Sequence, residues 1–188
     1  MSELLTLRSF RAGLVFALLV GAALCSDRLY GIHGVESALV LGAVLPPWAA
    51  VIGVHVLDRS RRDRTQLPAT ELLWRTLAAG WLTLAVPTAM LALNALRVRN
   101  FAPVQGALFI VLGPFAATTL ASTWGLVVAG FTRWIGFATA LALLGPITSI
   151  GLGLACFYAT PAIFVYGHFF GYFPGTLYDE ALQLPAPL

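Results

Sequence analysis

Three histidines and eight carboxylates are the side chains in this 188-residue chain with the most scope for acid–base or ligand chemistry. Two pairs have helical spacing. His33 precedes Glu36 by three residues, and His55 precedes Asp58 by the same interval. Residues three apart share a helix face, and a His-x-x-Glu pair can hold a metal when other helices add ligands. The two histidines are 22 residues apart, about 33 Å along a straight helix, so the pairs cannot form one site. Each reads instead as the polar end of a helix at a membrane interface.

The third histidine lies in the least generic stretch of the chain. Tyr166, Phe169, Phe170, Tyr172 and Phe173 crowd around His168, and Asp179 and Glu180 follow. Aromatic rings at this density suit the headgroup layer. Phe173-Pro174-Gly175-Thr176 matches a type II turn. That turn could bring His168 towards the two acids in an outward lid or docking segment; the simpler reading is an interfacial anchor. His33, Glu36, His168, Asp179 and Glu180 together are the polar set that a lipid-modifying membrane enzyme would use. They fall short of a catalytic constellation, and no P-loop, nucleophile-elbow, zincin or C-x-x-C motif occurs. Whether the chain is an enzyme stays open, with the balance against it. No cofactor and no metal are expected. Cys25 and Cys156 sit in apolar runs and read as small buried hydrophobes.

The elements that carry these residues follow from composition. Hydrophobic residues make up 59% of the chain, charged residues only 10%, and mean hydropathy is +0.86. Such a chain is neither a disordered tail, nor a cytosolic domain, nor a nucleic-acid binder. The expected fold is all-α: one transmembrane domain, residues 1–188, built as a polytopic bundle of about five helices. The spans fall at 7–25, 33–57, 71–96, 103–131 and 134–158, each able to cross about 30 Å of hydrocarbon, with an outward aromatic tail at 159–188. Strands are not expected, since lipid disfavours open sheet edges and no sustained period-2 alternation marks a barrel. Residues 1–25 could alternatively be a cleaved signal peptide, with the small Gly21 and Ala23 at its cleavage site; a lipoprotein signal at Cys25 fits poorly because Leu24 precedes it, and retention as the first helix is preferred.

All eleven basic residues are arginine. With the N-terminus in the cytoplasm, eight of them lie inside, dominated by Arg59-Ser60-Arg61-Arg62-Asp63-Arg64, and three outside. The positive-inside rule therefore predicts the N-terminus in the cytoplasm and the C-terminus outside; a multi-pass protein of a bacterial inner membrane is the location expected.

Small residues recur every fourth position: Gly13, Ala17, Gly21 and Cys25; Ala38, Gly42, Pro46 and Ala50; Gly113, Ala117, Ala121, Gly125 and Ala129; Gly145, Ser149 and Gly153. Grooves of this kind let helix backbones approach closely. The row through Gly113, Ala117, Ala121 and Gly125 is the expected principal seam, within the chain or between protomers. Pro46, Pro47, Pro87, Pro114 and Pro146 fall inside spans and are expected to kink them. Broken helices could frame a solute path, but the spans contain almost no charge, so bundle shaping is preferred. The function expected is a non-enzymatic subunit, anchor or scaffold in the bilayer. Its partners would be other membrane helices, in a homo-oligomer or a larger complex, and not nucleic acid. A transporter or channel component using the proline-broken spans is the alternative, and a lipid enzyme the third reading.

Overall fold

The computed structural model describes residues 6–27, 30–63, 67–98, 103–159, 164–167 and 171–174. Its helices are α1 (Arg8–Ser26), α2 (Val35–Arg62), α3 (Ala69–Asn94), α4 (Pro103–Ile110), α5 (Ala116–Phe131) and α6 (Ile135–Ala159). A π-helical turn, Val111–Phe115, joins α4 to α5, so these two form one continuous span. Among the described residues, five helical segments are therefore long and apolar enough to cross a membrane, as the composition leads one to expect.

The α2 helix runs on to Arg62, five residues beyond Leu57 where apolarity ends. Its extra turn carries two i,i+4 ion pairs, Arg62 Nε to Asp58 at 2.7 Å and Arg59 Nε to Asp63 at 2.6 Å. Arginines near a helix C-terminus also complement the macrodipole. At its start, Ser37 accepts a hydrogen bond from the Gly34 N–H at 3.1 Å. This is half of a capping box, the other half needing a side chain that glycine lacks.

Alternate spans pair side by side. Gly106 of α4 lies against His33 and Gly125 of α5 against Ala50, so spans two and four run parallel. Likewise Gly21 of α1 lies against Pro87, and Phe10 shares a core cluster with Ala79, so α1 and α3 also run parallel. The α2 helix is the hub: 61% of its apolar window is buried, against 17% for α6. No strand was expected, yet two short ones follow the bundle. Strand β1 (Phe164–Gly167) pairs antiparallel with β2 (Gly171–Pro174), with Tyr166 opposite Tyr172. Valine and aromatic residues favour this geometry, and two glycines flank the reversal. The hairpin lies against the bundle, with β1 beside α6 and β2 beside the π turn and α2.

Candidate functional site

The seam of span four is occupied within the chain. Ala117, Ala121 and Ala129 are buried, as is Gly125, and Ala121 packs with Ala50 and Val54 of α2. A Cβ at Gly125 would collide with the Ala50 carbonyl. Gly113 differs, with nothing within 4 Å of where its Cβ would be. Ala38, Gly42, Pro46 and Ala50 of α2 are all buried, so two small-residue rows meet face to face. Close backbone approach of this sort replaces the hydrophobic drive that lipid cannot supply.

The prolines share in this packing. Pro46, Pro87, Pro114 and Pro146 are all fully buried, and Pro87 fills the notch left by Gly21. Helical hydrogen bonding resumes beyond each of them. Only at Pro114 does the ladder widen, into the π turn. Proline has no N–H to donate, and an i→i+5 turn passes over the missing bond.

Just past that turn lies the polar centre of the bundle. Thr76, Thr83, Thr118 and Ser122 are buried. Thr76 donates to the Leu72 carbonyl at 2.8 Å and Thr83 to that of Gly80 at 2.6 Å. The hydroxyls of Thr118 and Ser122 have no partner among the described residues. Ser122 faces the notch of Gly80, and its carbonyl faces Gly53. Beside this centre, Trp81 stacks on Phe115 at 5.3 Å and donates to Thr119 Oγ1 at 2.9 Å. Sequence spacing alone does not reveal this cluster, because its hydroxyls come from different spans.

The histidines of α2 and its approach are placed far apart, as their spacing implied. At one end, His33 hydrogen-bonds to the backbone of Thr88 in α3, and its own backbone is wedged beneath Gly106. Burial holds its imidazole below the ordinary value, with the bond to Thr88 opposing that shift in part. Glu36 is exposed one turn away. Nearby, Asn94 donates to the Gly31 carbonyl at 2.7 Å, closing the loop between α1 and α2 onto α3. His168, Asp179 and Glu180 lie outside the described residues, as do Gly175 and Thr176 of the expected turn. Among the described residues, no cluster of three His, Cys, Asp or Glu side chains could hold a metal.

The other end of the bundle gathers the arginines. Arg8, Arg11, Arg59, Arg61, Arg62, Arg75 and Arg133 all sit there, facing only Asp58, Asp63 and Glu71 among the described carboxylates. Arg75 pairs with Glu71 at 2.8 Å. Arg61 reaches across to donate to the carbonyls of Thr132 at 3.0 Å and Gly130 at 3.4 Å, which ties the C-terminus of α5 to α2. His55 bonds through Nδ1 to the Val51 carbonyl at 2.9 Å.

No protein-family model, curated protein or solved structure matches the chain. Its own geometry offers buried hydroxyls at the centre, a histidine bonded to α3 at one end and a basic rim at the other.

Proposed function

We propose that the chain is a non-catalytic integral membrane subunit, an anchor or scaffold that docks other membrane helices. The observation that carries this reading is how its polar groups are used. His33 ties a loop to α3, Asp58 and Asp63 pair with Arg62 and Arg59, and the buried hydroxyls of Thr76 and Thr83 bond to carbonyls of their own helix. These groups are engaged locally, within or beside their own helices, rather than converging on a substrate. The α6 helix is the span least covered by its neighbours. Its lipid-facing side includes Gly151, Ala155 and Ala159, all exposed, spaced for close approach of a partner helix. Ala155→Leu should therefore weaken association in membranes, read by cross-linking and by native electrophoresis in mild detergent. Unchanged association would remove α6 as the contact.

A second reading, a small transporter or channel component, draws on the π turn at Pro114 and on the unpartnered hydroxyls of Thr118 and Ser122. π-helical turns are frequent at functional sites, and broken helices can frame a solute path. Replacing both Pro114 and Pro146 by alanine should abolish flux if that reading holds; normal flux in the double variant would retire it.

A further inference from the structure

At the arginine-rich end, the helices stop at different levels. Leu7 and Phe10 pack with Ile52 and Val56 of α2, so α1 begins about level with Val56. The α2 helix continues six residues to Arg62, about 9 Å further at 1.5 Å per residue. The step between them opens an elongated groove of about 730 Å³. Its polar half is lined by Arg8, Ser9, His55, Asp58, Arg59 and Arg62. The other half is apolar, walled by Ala12, Trp48, Val51 and Ile135.

Three features of the polar half favour an anion. Arg8 has no ion-pair partner among the described residues. Arg59 and Arg62 are steadied through Nε by carboxylates on their own helix, so the three lining arginines exceed the single lining carboxylate, Asp58. The first turn of α1 has no side-chain cap at Leu7, and unspent N–H groups at a helix start attract negative charge. Ser9 Oγ is fully buried and has no hydrogen-bond partner among the described residues. A donor so placed needs an acceptor that the helix does not provide.

We propose that this groove is a phosphate site filled by the headgroup of an anionic phospholipid, with an acyl chain lying along Ala12, Trp48, Val51 and Ile135. The shape selects a lipid over a soluble phosphate ester: the cationic half is continuous with an apolar half that runs deeper into the bundle, towards Trp48. Basic pockets between transmembrane helices recognise lipid headgroups in this way. The inference does not depend on the subunit reading, since a transporter could hold the same lipid.

The test uses the full-length protein, stripped of lipid in detergent, with native mass spectrometry as the readout. Phosphatidylglycerol is titrated against phosphatidylcholine, and glycerol phosphate serves as the soluble competitor. Phosphatidylglycerol should bind preferentially. The Arg8→Gln/Arg62→Gln double variant should weaken it about 25-fold, roughly fivefold per arginine. Arg11→Gln/Arg133→Gln removes equal charge at residues that do not line the groove and should weaken binding far less than the groove pair. Ala12→Phe narrows the apolar half at an exposed position and keeps every charge, so it should weaken the lipid even if the arginine variants fold poorly. Equal loss in both arginine pairs would overturn the proposal in favour of diffuse surface charge. Displacement by glycerol phosphate would overturn the lipid assignment. Absence of any preference for the anionic lipid would overturn the site.

Discussion

Single atoms decide much of this fold, because lipid provides no hydrophobic force between helices and contact depends on fit. Gly125 is the sharpest instance: the Ala50 carbonyl occupies the space a side chain would need. Gly125→Leu should destabilise the bundle by about 3 kcal/mol or more through overpacking. Gly136→Leu meets open space and should cost less than about 0.5 kcal/mol, as surface substitutions do. Unfolding midpoints in mixed detergent would separate the two, and equal losses would contradict the seam. His33 gives a pH signature. Its imidazole is held below its ordinary value, so the unfolded chain binds the proton more readily. Stability is then full above about pH 6.5, the unfolded value, and declines as pH falls through that value towards the lower folded one. Thermal midpoints taken between pH 8 and 5 should show this decline, on the order of these reference values, and His33→Gln should flatten it. A decline of equal size in the variant would assign it elsewhere.

At the scale of elements, the π turn is the feature that sets register. It closes i→i+5 rather than i→i+4 and so holds one residue more than an α turn would. Deleting Leu112, which is exposed, should let the turn close as α-helix and keep α5 facing α2. Deleting Leu120, also exposed, should turn everything after it by about 100° and drive Gly125 off Ala50. The first variant should retain most of the wild-type thermal stability and the second should lose its cooperative transition. If both unfolded alike, the π turn would have no role in register. Helix extent was largely legible beforehand. Five apolar runs appear, among the described residues, as five helical segments long and apolar enough to cross a membrane. The π turn was not legible, since Pro46, Pro87 and Pro146 sit in similar apolar surroundings and their helices stay α-helical. At Pro114 the turn also has a neighbour distant in sequence, Trp81 stacked on Phe115.

For the molecule as a whole, charge divides by end. Seven described arginines face three described carboxylates at one end, whereas Arg97 stands with Asp27 and Glu36 at the other. From the positive-inside rule we propose that the groove end faces the cytoplasm. Single cysteines at Asp63 and at Arg97, in a Cys25→Ala/Cys156→Ala background, would test this in intact cells with an impermeant maleimide. Arg97→Cys should label from outside and Asp63→Cys only after permeabilisation; the opposite pattern would invert the topology.

The sequence by itself determined that the chain is a bundle of apolar helices with its arginines at the ends, because burying charge in hydrocarbon is costly at any packing geometry and backbone groups there must be satisfied by helix. It also carried the row Ala117, Ala121, Gly125, since i,i+4 spacing is local. Only the tertiary structure decided that Ala50 fills that row from within the chain, and that α1 begins short of Arg62 to leave a basic step. Both depend on how far one helix slides and turns against another, which is set by summed contacts between residues distant along the chain.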